Sequence, residues 1–121
     1  LVSIFSIVAN AQTNFELSKA FQPMLDKDMS NWELFVGVPH TSVALEGHPK
    51  SDNVHVGTPL GLNNDPKNVM TVIEEDEELI LKITGEIYAG LTTLNEFGNY
   101  HLKVQFRWGE KKWIPRMDLD Q

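Results

Sequence analysis

Residues Asn99–Trp113 read NYHLKVQFRWGEKKW, and apolar side chains fall at every second position: Tyr100, Leu102, Val104, Phe106 and Trp108. His101, Lys103, Gln105 and Arg107 sit between them. A period of two predicts a β-strand with one apolar face, because successive side chains point to opposite sides. Just upstream, Glu86–Leu94 (EIYAGLTTL) alternates in the same way, and Asn95-Glu96-Phe97-Gly98 joins the two stretches.

Paired as an antiparallel hairpin, these strands would set Leu94 opposite Asn99, Thr92 opposite His101, Gly90 opposite Lys103, Tyr88 opposite Gln105 and Glu86 opposite Arg107. Ile87, Ala89, Leu91, Tyr100, Leu102, Val104 and Phe106 then share one face, the expected core. Glu86, Tyr88, Gly90, Thr92, His101, Lys103, Gln105 and Arg107 share the other. A slip of one residue would mix the two sets. Consecutive strands of a jelly roll can also lie in opposite sheets, which leaves the direct pairing as one of two arrangements.

The rest of the chain extends the β reading. Trp32–Val36 is a short strand after a helix expected at Glu16–Ala20. Val69–Ile73 and Leu79–Thr84 flank the acidic run EEDEE (Glu74–Glu78) and read as a second hairpin. Five adjacent carboxylates suggest calcium, but they lack the spacing and the glycine of a calcium loop, so a solvated turn is expected. Between these strands, Val38–Lys67 is rich in Pro, Gly, Asn, Asp and His, a composition of turns. An irregular segment of that length is either a functional loop or a surface insertion. Several short strands with closely spaced turns and no long helical period indicate an all-β, antiparallel β-sandwich or jelly roll.

At 121 residues the chain has the length of one domain. Its net charge of −7 argues against a nucleic-acid partner, which would demand a basic surface. The absence of cysteine removes disulfides and thiolate metal sites. The opening LVSIFSIVANAQT joins a short apolar run to Ala9-Asn10-Ala11. That pattern resembles the end of a secretory signal peptide cleaved after Ala11, with an upstream part missing. Residues 1–11 are therefore expected to be a leader remnant and 12–121 the domain, in a periplasmic or secreted protein. A buried N-terminal strand is the competing reading. The run is too short to span a bilayer.

No H-E-x-x-H, G-x-S-x-G or phosphate loop is present. His40, His48 and His55 lie in the long loop at irregular spacing, as solvated histidines would; a divalent cation finds no support in ligand spacing. Trp32 and Trp108 read as core anchors, and Trp113 as either core or surface. The polar face of the last two strands matches what a sugar site needs: planar hydrogen-bonding groups, an aromatic ring and the space left by a glycine. A plain solvent-facing side would also be polar.

Four stretches carry a resemblance: MLDKDMSNWELFVGVPH, PLGLNNDPKNVMTV, ITGEIYAGLTT and NEFGNYHLKVQFRWGEKKWIPR. With them the chain resembles the 3-keto-disaccharide hydrolase-like domain family over about Phe21–Arg116. The last stretch is the most specific. The resemblance implies a concanavalin-like, glucanase-type sandwich whose concave sheet holds a carbohydrate, and an enzyme cleaving glycosides oxidised at C3. The oxidised carbon acidifies the proton at C2, so a general base, a general acid and enolate stabilisation would suffice. Glu86, His101 and Arg107 are the candidate catalytic residues, and Tyr88, Lys103, Gln105 and Glu96 the candidate substrate contacts. Two departures stand out. Gln105 replaces a glutamate common in the family, and the family's R-D-S-G segment does not follow WGEKKWIPR. The domain is expected to be incomplete here. A non-catalytic carbohydrate-binding module on the same sandwich is the alternative.

Overall fold

The computed structural model describes residues 3–10, 21–114 and 117. The expected helix at Glu16–Ala20 lies outside them. Among the described residues there are eight strands and no helix: β1 (Ser3–Asn10), β2 (Gln22–Pro23), β3 (Trp32–Val36), β4 (Gly61–Leu62), β5 (Met70–Glu75), β6 (Glu78–Ile83), β7 (Ala89–Thr93) and β8 (His101–Arg107). They form two antiparallel sheets. In the larger, β1 pairs with β8 along one edge, and along the other with β6 and then β2, while β5 closes the far side beyond β6. The smaller runs β4-β3-β7.

The hairpin around the acidic run forms as the sequence indicates, with Met70 opposite Ile83 and Glu75 opposite Glu78. Asp76 and Glu77 make the two-residue turn, both with positive φ (51° and 66°). That is the mirror-image turn whose twist matches paired strands. Like charges face one another at Glu75 and Glu78, and cations gather nearby: Lys27 lies 3.5 Å from Glu74, and Arg107 3.6 Å from Glu75.

β3 matches its expected span, and its alternation decides which side is buried. Leu34 and Val36 point inward, while Phe35 points out. Together with Leu25, Val43, Val69, Met70, Leu81 and Ile87 they form one apolar cluster, so the core draws on both sheets. The turn-rich segment contributes too: Val38, Pro39 and Val43 are buried.

Polar side chains stand in for strand pairing within that segment. Asn63 donates its backbone N–H to the Leu34 carbonyl (2.6 Å) and accepts the Leu34 N–H on its side-chain oxygen (3.1 Å). Asp65 accepts the N–H groups of Val69 (2.8 Å) and Met70 (3.0 Å), which aims the chain into β5. Gly37 is needed for a close approach: it donates to the Tyr88 carbonyl at 2.7 Å, and a Cβ there would stand 3.0 Å from the same oxygen.

Two expectations are corrected. β7 and β8 do not pair: β7 joins β3, with Trp32 opposite Thr93 and Val36 opposite Ala89, and β8 joins β1, with Ile4 opposite Arg107 and Asn10 opposite His101. The strands belong to different sheets because residues 94–100 carry the chain across instead of turning it back. The apolar side of β8 is also not core. Tyr100, Leu102, Val104 and Phe106 are 41% to 60% exposed, and Trp108 is exposed as well. The partition of β7 itself is as expected, with Ile87 buried, Ala89 and Leu91 packed on the core, and Tyr88, Gly90 and Thr92 facing out.

The apolar opening run forms β1, a strand with neighbours on both edges. Among the described residues no helix is long and apolar enough to cross a membrane.

Candidate functional site

Since β7 and β8 part company, the residues expected to share one polar face are dispersed. Glu86 precedes β7 and turns to Lys67 at 3.6 Å, with only 12% of its side chain exposed and 26% of the lysine's. Lys67 also donates to the Ala44 carbonyl (3.2 Å), so the pair ties the turn-rich segment to the approach of β7. A carboxylate held this way neutralises a half-buried ammonium, and losing either partner would strand the other. Tyr88 stacks on His55, with ring centroids 6.0 Å apart and planes at 26°.

His101 and Arg107 mark the two ends of β8, about 20 Å apart at roughly 3.4 Å per residue. His101 meets the ring of Phe21 edge-on at 5.3 Å, and Arg107 pairs with Glu75. Lys103 and Gln105 lie between them, exposed, at the positions facing Val8 and Ser6 of β1. The structure does not bring Glu86, His101 and Arg107 together.

A different set of side chains lines an open cavity of about 580 Å³, within the size range of small-ligand sites. It lies where the chain crosses from the smaller sheet to the larger. Trp32 of β3 and Leu91, Thr92 and Thr93 of β7 form one wall; Asn95, Glu96 and Phe97 of the crossing segment, with Tyr100 and Leu102, form the rest.

Local sequence explains each wall. Trp32 faces Thr93 across the β3–β7 ladder, and its indole N–H donates to the Met24 carbonyl at 2.8 Å, which orients the ring. The Asn31 amide reaches the same carbonyl at 3.4 Å, and the Asn31 carbonyl accepts the Leu94 N–H at 2.9 Å, holding the end of β7. The Thr93 hydroxyl then donates to the Asn95 carbonyl (2.8 Å), bending the chain away from the strand. Beyond the bend, Phe97 and Tyr100 meet nearly edge-to-face, 6.5 Å between centroids and 66° between planes. Such geometry suits the quadrupoles of two aromatic rings.

The residues around the cavity therefore carry three aromatic rings, the hydroxyls of Thr92 and Thr93 (the latter donated to the Asn95 carbonyl), the amide of Asn95 and the carboxylate of Glu96. Glu96, a candidate substrate contact on sequence grounds, lies in this lining. Sequence pattern places Trp32, Tyr100 and Leu102 in the core instead, because an alternating strand does not show that one of its faces stays open. The available signal was NEFGNY, a linker with two aromatics among turn residues, where burial has no local reason.

Among the described residues, no group of three or more His, Cys, Asp or Glu side chains could hold a metal ion. Asp26 is the clearest electrostatic perturbation. The Ser30 hydroxyl donates to it, as do the backbone N–H groups of Ser30 (2.9 Å) and Asp28 (3.0 Å). Led by the Ser30 hydroxyl, these donors hold its carboxyl below the usual range. It clips the turn before β3 and does not touch the cavity. No family model matches the chain, and neither the curated proteins nor the solved structures contain a match.

Proposed function

We propose that this chain is a carbohydrate-binding domain whose ligand enters the cavity between Trp32, Phe97 and Tyr100. The observation that carries this reading is the pairing of aromatic rings with short polar groups around one cavity of ligand size. Sugar rings present apolar C–H faces and hydroxyl edges together. Aromatic walls suit the former, and Thr92, Thr93, Asn95 and Glu96 suit the latter. The fold reading goes with it: a concanavalin-like sandwich is the architecture proposed for the two sheets.

Isothermal titration with glucose and glucose-containing disaccharides tests the proposal. Tyr100→Ala removes an exposed ring and is expected to weaken binding about three- to tenfold. Saturable binding that is indifferent to both Tyr100→Ala and Trp32→Phe would refute the assignment of the cavity.

A second reading, a hydrolase of 3-keto-glycosides, is favoured by the position of Glu96. One carboxylate in an apolar cavity could remove the acidified C2 proton. The resulting enolate would then break the C1–O bond, expel the leaving alcohol as it takes up a proton, and leave an enone for water to add to. This reading predicts turnover of 3-keto-disaccharides that Glu96→Gln abolishes. His101 and Arg107 would contribute only if the ligand extended along β8, and Glu86, held by Lys67 before β7, would not take part.

A periplasmic or secreted location belongs to the same proposal and rests on the Ala9-Asn10-Ala11 pattern. Cleavage after Ala11 would remove β1 and with it the neighbour of β8. Amino-terminal sequencing of the exported protein distinguishes a chain beginning at Gln12 from one that keeps this strand.

A further inference from the structure

Among the described lining residues of the cavity the charge is one-sided, with a carboxylate and no basic group; His101 and Lys103, beside Leu102, alternate to the other face of β8. Among the described residues that line it, Glu96 is the one acidic side chain. Glu33 stands directly opposite Thr92 on the β3–β7 ladder and so shares the face of that lining residue. The arginine of β8 lies at the far end of its strand, paired with Glu75, and Lys67 is paired with Glu86. Three aromatic rings add the negative potential of their faces, which attracts cations. A neutral sugar would use the rings and hydroxyls but leave this potential unspent, and a uronic acid or sugar phosphate would be repelled by it.

We infer that the cavity selects an amino sugar, bound as its cation, with the ammonium group at the Glu96 carboxylate and the ring against Trp32, Phe97 and Tyr100. The inference rests on the carbohydrate reading and narrows it to one substrate class. Recognition comes from a solvent-open ion pair and cation–π attraction, each modest alone, so the preference over a neutral sugar is about five- to tenfold.

The test is titration of the whole chain with glucosamine, glucose and N-acetylglucosamine near neutral pH, at low and at high salt. Support requires that glucosamine bind at least about fivefold more tightly than either neutral sugar, that salt erode the difference, and that Glu96→Gln abolish it. Circular dichroism of Glu96→Gln verifies its fold, and the comparison within the unaltered protein stands without the variant. Equal affinity for the three sugars overturns the inference while leaving the carbohydrate reading in place. Absence of binding by all three overturns both.

Discussion

Replacing Asp65 with alanine should be among the most damaging single changes outside the apolar core. Its two carboxylate oxygens accept the N–H groups of Val69 at 2.8 Å and Met70 at 3.0 Å, and both residues are buried. Hydrogen bonds to a charged acceptor contribute roughly 1.5–3 kcal/mol each, and a buried N–H left without a partner costs about 1–3 kcal/mol. Allowing for partial relaxation of the turn, Asp65→Ala should lose about 2–4 kcal/mol, a large share of the roughly 5–15 kcal/mol typical of a domain. Urea denaturation followed by tryptophan fluorescence measures it. With a slope of about 1–3 kcal/mol per molar, the midpoint should fall by roughly 1–2 M. Asp65→Asn keeps one carbonyl oxygen and should lose about half as much. A loss below about 0.5 kcal/mol for alanine, or equal losses for both variants, would refute the view that this carboxylate directs the chain into β5.

The other predictions concern turns. Glu77→Gly should stabilise the β5–β6 hairpin by about 0.5–1 kcal/mol, since a left-handed residue costs about 1–2 kcal/mol and glycine's extra unfolded entropy returns part of the gain. A lower melting temperature for that variant would contradict the turn geometry. For Asp26, the folded pKa lies below the unfolded one, so its contribution is present above the ordinary carboxylate pKa and is lost as pH falls through the folded value. Asp26→Asn should therefore flatten the acid limb of the melting temperature against pH, and an unchanged limb would show that the Ser30 clip adds nothing to stability.

Much of the secondary structure is legible in local pattern. Trp32–Val36 emerges at its observed bounds because a short apolar alternation between turn residues has no helical alternative. The acidic run reads as a turn because Glu74–Glu78 cannot be buried, and the apolar stretches on either side must then pair. The two faces of β7 follow from its period. These are properties of residues and their immediate neighbours, and any all-β arrangement would preserve them.

Sequence could state that β8 is a strand, but its neighbour is another matter. The backbone of an extended segment can pair along either edge, and the choice between β7 and β1 depends on where residues 94–100 lead the chain. The same crossing decides the cavity. Trp32 and Tyr100 are far apart in sequence and line one cavity because the end of β7, held by Asn31 and Thr93, bends across toward the other sheet. Alternation records which side chains share a face; only the packed sheets decide whether that face meets a core, a cavity or solvent, because burial is set by what comes to lie opposite.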